Sequence, residues 1–250
     1  MLPFTLILPI LFSFLAVKTD LFRYKILVTA SCILIIVLSS LMSQSFHFSG
    51  SNPVFYLLGA FSLSIVGDYF LSFRKGKKNY YLFGILGFFA AHIFYLVYAL
   101  HKSPSLLQTI VFFLFLVSLS IIYFRFRIVK HLPDLPMKIA VFFYLFISCL
   151  TFSVSLTCVI TFYEHLLLSL GIGLIFFSDL CIAENDFVGN QKFYRFRSLK
   201  EITYSMGLKK QWANPPIFFE KDLVITFQSL ILPTYYLSHI LLTSSILLIV

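Results

Sequence analysis

Long apolar runs, broken at intervals by short polar turns, make up most of this chain. Eight such segments span about 3–17, 26–43, 54–73, 80–100, 105–124, 138–162, 165–184 and 223–249. A hydrocarbon core about 30 Å thick needs about 20 apolar residues in a helix. The first segment is short, and the others are of that order. The runs are continuous rather than alternating, which predicts helices and argues against a barrel. The first segment has no basic stretch before it and no small-residue cleavage site behind it, so it reads as a span rather than a removed signal peptide. The expectation is an all-α integral membrane protein. Residues 1–250 form a single domain of eight transmembrane helices, with one long cytoplasmic loop at about 185–222.

Composition agrees with this pattern. Hydrophobic residues make up 60% of the chain, the mean hydropathy is +0.95 and only 12% of residues are charged, against about 25% in soluble domains. The net charge of +9 would by itself raise nucleic acid as a partner, but its distribution points elsewhere. Lys18, Arg23 and Lys25 fall in the turn between segments 1 and 2. Arg74, Lys75, Lys77 and Lys78 fall between 3 and 4, and Arg125, Arg127, Lys130 and Lys138 between 5 and 6. Seven more follow between 7 and 8, so 18 of the 19 Lys and Arg residues share one side and Lys102 stands alone on the other. This is the positive-inside asymmetry. It predicts those turns in the cytoplasm and both termini outside it, with membrane lipids as partners and no nucleic acid.

Two polar breaks interrupt the apolar runs: Ser64-Ile65-Val66-Gly67-Asp68 and Phe176-Phe177-Ser178-Asp179. A carboxylate near the bilayer centre costs about 2.5–3.5 kcal/mol on insertion scales, so such a residue faces a cavity, a partner or a substrate. At about 1.5 Å per residue, both aspartates sit at the same depth from the basic ends of their helices. They can share a cavity if helices 3 and 7 are neighbours. His92 and Tyr95 lie at i, i+3 on helix 4, and Gln228, Tyr235 and His239 share one face of helix 8, where Pro233 can kink the helix and open a pocket. Each has a plainer reading. A lone histidine in a span is often a structural hydrogen-bonding residue, tyrosines often pack, and an aspartate can be tied to a lysine. Gly84, Gly87 and Ala91 share a face suited to tight helix packing. The matched Asp68 and Asp179, with His92-Ile93 and His239-Ile240 on the following helices, also allow a parallel four-plus-four repeat.

Two carboxyl groups in one low-dielectric cavity cannot both ionise cheaply, so one keeps its proton beside an ionised partner. A general acid beside a general base suits hydrolysis of acid-labile C–O bonds such as acetals and enol ethers. No GxSxG, HExxH or P-loop sequence is present, which removes support from serine-hydrolase, zincin and nucleotide-driven readings. Cys32, Cys149, Cys158 and Cys181 lie in separate parts of the spans with no CxxC spacing, and read as small packing residues rather than metal ligands. The loop at about 185–222 carries Trp212, Pro215-Pro216, and Phe193, Tyr194 and Phe196 among arginines. It reads as a solvated linker, or as an interfacial segment holding anionic headgroups. Two other functions fit the same residues. A proton-coupled transporter would show flux and pH-gradient dependence without product. A metal-dependent lipid hydrolase using His92, Asp68, Asp179 and His239 would lose activity with chelators.

Several stretches resemble the YhhN-like lysoplasmalogenase family of multi-pass membrane proteins. Leu58 to Leu71, around Ser64-Ile65-Val66-Gly67-Asp68, resembles its helix-3 motif, and Phe83 to Tyr95, ending in His92-Ile93-Phe94-Tyr95, its helix-4 motif. Gly173 to Asp179 resembles the helix-7 motif, Pro233 to Ser238 that of the last helix, and Tyr144 falls where the family tends to have a tyrosine in helix 6. The resemblance implies eight helices, no cofactor, and hydrolysis of the vinyl ether bond of a lysophospholipid substrate. The products would be a fatty aldehyde and a glycerophospho-ethanolamine or -choline. It implies Asp68, Asp179 and His92 as catalytic residues. Tyr95, Tyr144, Tyr235, Gln228 and His239 are expected to contact substrate, and Lys25 to reach a phosphate from the helix end. The chain departs from the family pattern where Ile26 follows Lys25 instead of proline and where His239 replaces glutamine. No N-glycosylation sequon is present, and with the compact loops this favours a bacterial inner membrane over a eukaryotic organelle.

Overall fold

The computed structural model describes residues 6–19, 22–42, 53–72, 78–102, 104–189 and 218–247. Among these, the regular secondary structure is all helix, with no strands. Eight α-helices follow one another: α1 Ile7–Thr19, α2 Phe22–Met42, α3 Val54–Ser72, α4 Lys78–Leu100, α5 Leu106–Tyr123, α6 Leu135–Thr161, α7 Leu166–Ala183 and α8 Phe218–Leu247. Seven of them give segments long and apolar enough to cross a membrane, the architecture of a multi-pass membrane protein. The helix α1 is the exception. Its apolar part is Ile7–Ala16, and its 13 residues rise only about 20 Å.

Local sequence explains several ends. Before α6, Asp134 is extended and its carboxylate accepts from the Met137 backbone N–H at 3.1 Å, with Pro136 in the first turn where its missing N–H leaves nothing unsatisfied. The α5 helix continues into a π-turn over Phe124–Ile128, and α7 into another over Glu184–Gly189. The long loop is therefore shorter than the sequence predicts: helix persists to Gly189 and resumes at Phe218. Trp212 and the aromatic and basic residues between them lie outside the described residues. Inside the spans most hydroxyls bond back to a carbonyl one turn earlier, as Thr151 does to Ile147 at 2.8 Å and Thr157 to Ser153 at 2.9 Å. That satisfies them where no water is at hand.

Packing forms a ring. In order around it, α2 packs on α3, α3 on α4, α4 on α6, α6 on α7, α7 on α8 and α8 back on α2. The α1 helix lies against α2 and α8, and α5 lies outside on α6, turning Leu106, Leu107, Val111 and Phe115 outward. The contacts of α3 with α4 and of α7 with α8 are the most extensive, and glycines explain the first. A Cβ on Gly87 would stand 3.0 Å from the Gly67 backbone, and one on Gly84 2.6 Å from a Leu71 methyl, so the backbones approach as small residues allow. The α3 and α7 helices face each other across the ring and do not pack closely. The adjacency that would pair Asp68 directly with Asp179 is absent.

Candidate active site

The interior of the ring is bridged by long polar side chains. From α4, His92 Nε2 reaches Asp179 Oδ2 on α7 at 3.1 Å. From α8, the Tyr235 hydroxyl donates to Asp68 Oδ2 on α3 at 3.2 Å. Each aspartate is thus held by a helix that does not pack directly on its own.

The Asp179 half is the richer. Besides the carboxylate, His92 Nε2 has the Ser148 hydroxyl at 3.2 Å and the Tyr144 hydroxyl at 3.3 Å. Both come from α6, where they lie one turn apart on the same face. One ring nitrogen either donates a single hydrogen or accepts. With a proton, Nε2 donates to Asp179; without it, Nε2 accepts from Tyr144 or Ser148. His92 is fully buried, and its Nδ1 has no hydrogen-bond partner among the described residues. The Asp179 side chain keeps 11% of its surface exposed, toward a cleft between α4, α6 and α7.

That cleft has about 60 Å³ of space open to water. A water needs about 10–15 Å³ on that measure, so the cleft takes a few waters or one small group. Phe88, Leu145, Ser148 and Phe176 form its inner end, and Tyr81, Tyr123, Phe124 and Phe187 its outer, basic end. Ile85 lines both this cleft and a groove of about 510 Å³ on the outer face of α4 and α6, where Leu86, Phe89, Ile139 and Phe143 meet. At the mouth, Glu184 accepts from the Tyr123 hydroxyl at 3.1 Å and from Arg127 Nε at 2.9 Å and Nη2 at 3.3 Å. These three residues come from the two π-turns and the helix end before them, and π-turns recur at functional sites.

The Asp68 half lies behind Phe88, which lines the cleft and packs edge-on against the Tyr235 ring at 6.0 Å. Asp68 does not line the cleft. Lys25 acts on it electrostatically. Ser64, one turn earlier on α3, approaches both the Tyr95 and the Tyr235 hydroxyls. Tyr95 is buried edge-on to His92 at 6.1 Å, within electrostatic reach of both aspartates, yet its hydroxyl makes no well-directed hydrogen bond among the described residues. His239 stacks on Phe61 at 4.7 Å and meets Tyr235 at 4.5 Å. Its Nδ1 stands 2.9 Å from the Tyr235 carbonyl, which can only accept, so Nδ1 carries the hydrogen and the buried Nε2 has no partner among the described residues.

The expected site residues therefore fall into groups. Asp179, His92 and Tyr144 meet at the cleft. Asp68, Tyr235 and Lys25 form a second cluster behind Phe88, and Tyr95 and His239 lie in the packed core away from the opening. The side chain of Gln228 lies outside the described residues. Sequence reading missed Ser148, legible one turn after Tyr144, and Glu184 with Arg127, whose pairing has no local signal. Among the described residues, no group of three or more His, Cys, Asp and Glu is placed to hold a metal ion. Asp68 and His239 point to partners other than Asp179 and His92. All four cysteines are buried and free.

A model of the YhhN family matches residues 4–207. That covers Asp68, His92, Tyr144 and Asp179 but stops before α8, which carries Tyr235 and His239. No curated protein and no solved structure matches the chain.

Proposed function

We propose that this chain, which belongs to the YhhN family, is a membrane hydrolase that cleaves the vinyl ether bond of lysoplasmalogens. The products are a fatty aldehyde and a glycerophospho-ethanolamine or -choline. The observation that carries this reading is a single carboxyl group, Asp179, held by His92 at 3.1 Å at an apolar cleft of a membrane-spanning bundle. Enol ether cleavage begins with proton transfer to carbon, which calls for a positioned acid and little bulk water.

In this reading the Asp179 carboxylic acid gives its proton to the β-carbon of the vinyl ether. The C=C electron pair forms the new C–H bond, leaving an oxocarbenium ion at the carbon joined to oxygen. Ionised Asp179 then takes a proton from a water that adds to that carbon, which yields a hemiacetal and restores the acid. Transfer of the hemiacetal hydroxyl proton to the ether oxygen, relayed by Asp179 and His92, breaks the C–O bond. The switch at His92 Nε2 between donor to Asp179 and acceptor from Tyr144 or Ser148 supports such a relay. The Asp68 carboxyl group, screened from the cleft by Phe88, touches neither substrate nor water and contributes at most its charge from behind that ring. The groove reached past Ile85 receives the hydrocarbon chain, which the cleft is too small to hold.

The test is aldehyde release from a lysoplasmalogen by the purified protein, beside the Asp179→Asn variant and with a chelator. Release by the parent, unchanged by chelator and lost in a folded variant, supports the reading. No aldehyde from a folded, monodisperse parent sinks it.

A further inference from the structure

We propose that the Arg127–Glu184 ion pair at the cleft mouth is a headgroup subsite that selects zwitterionic amphiphiles over singly charged ones. The proposal rests on the reading that the cleft admits a lysophospholipid, and adds the residues that read its charge. Glu184 opens the π-turn after α7, five residues after Asp179, a rise of about 7.5 Å. In a glycerol-linked lipid, five bonds of about 1.5 Å separate the ether oxygen from phosphorus, a span of about 6 Å. A bond held at Asp179 therefore brings the phosphate to the level of the pair.

The charges at that level are matched to a dipole. The Arg127 side chain is 44% exposed and that of Glu184 13%. A guanidinium has five N–H donors, and two reach Glu184, so three remain for a phosphate. The Glu184 carboxylate stands beside Tyr123, and Tyr123 also lines the cleft. Tyr81 and Phe187 meet edge-on at 5.3 Å across the same opening. Aromatic faces beside a carboxylate suit an ammonium group. An anion alone would meet Glu184, a cation alone would meet Arg127, and like charges brought together repel. A ligand with phosphate and ammonium in sequence satisfies both without breaking the pair. Arg125, Lys130 and Lys138 at the same end attract every anion alike, so the ratio between ligands reports on the pair, not the absolute affinity.

The test measures binding of three ligands with one alkyl chain, a phosphocholine, a phosphate and a trimethylammonium, to the full chain in nonionic detergent, by thermal shift and by competition. The parent is expected to favour the phosphocholine. Glu184→Gln should raise phosphate relative to phosphocholine binding by about tenfold or more, and Arg127→Gln should do the same for the ammonium. If either variant fails to fold, the exchanged pair Arg127→Glu with Glu184→Arg keeps the bridge and should keep the zwitterion preference. Ratios unchanged within about twofold in the variants, or no binding of any of the three by the parent, overturn the subsite. Charge selection without aldehyde release would leave the subsite standing and remove the hydrolase reading.

Discussion

Around His92 Nε2, three oxygen atoms compete for one ring position, and the outcome depends on where the proton sits. Ionised, Asp179 can only accept and holds the ring only while Nε2 carries hydrogen; protonated, it can donate to a bare Nε2. Replacing His92 with Phe leaves Asp179, Ser148 and Tyr144 without their common partner in a largely dry interior. Aldehyde release by His92→Phe is expected to fall about 10²–10⁴-fold, the range of positioned acid–base groups, whereas Ser148→Ala, which leaves Asp179 on the ring, should cost far less. Steady-state turnover of the two variants checks the order. Asp68 poses a different case. It sits behind Phe88 and accepts from Tyr235, so in the proposed reaction only its charge can reach the cleft. Asp68→Asn should retain measurable turnover where Asp179→Asn has none, and equal loss in both would return Asp68 to the reacting centre.

Helix contacts decide which side chains can meet. The α3 and α4 helices approach through Gly67, Gly84 and Gly87, and that closeness holds Asp68 and His92 on rigidly joined backbones. A methyl at Gly87 meets backbone atoms of Gly67 at 3.0 Å, and backbone cannot turn aside. Gly87→Ala is therefore expected to destabilise by about 1–3 kcal/mol. At Gly173 the nearest atom is the edge of the Phe152 ring at 2.9 Å, which can rotate, so Gly173→Ala should cost less. Thermal denaturation in detergent orders the two. The groove between α4 and α6 offers a second element-scale test. Ala140 lines it beside Ile139 and Phe143. Ala140→Phe fills it without touching Asp179, and should lower turnover of long-chain substrates more than that of short-chain ones. A chain-length profile of kcat/KM reads the difference.

As a whole, the molecule is a ring of helices whose interior is closed by side chains rather than by packed backbone. The polar bridges between α4 and α7 and between α3 and α8 cross that interior, and the cleft reaches the basic end beside Tyr123 and borders the lateral groove at Ile85. The charge asymmetry predicts that end in the cytoplasm and the C-terminus outside it. A reporter that is active only outside the cytoplasm, fused after Val250, should be active. Silence there, with activity from the same reporter in the turn after α5, would invert the topology.

Much of this could be read from the chain. Apolar runs of the right length fixed seven spans to within a few residues, because burying backbone in hydrocarbon leaves little besides helix. The cost of an intramembrane carboxylate singles out Asp68 and Asp179 from the sequence alone. Depth along a helix was also legible, since rise per residue is constant. Azimuth and adjacency were not. No local pattern tells that α3 and α7 stand on opposite sides of a ring, so the pairing of Asp68 with Tyr235 and of Asp179 with His92 came only from the tertiary structure. Ser148 and the Arg127–Glu184 pair belong to the same class: their partners lie 56 and 57 residues away in sequence. The sequence determined what could span a membrane and which groups would be costly inside it. The packing of glycine-lined helices decided which of those groups face one another, because that depends on distances between backbones that no single helix encodes.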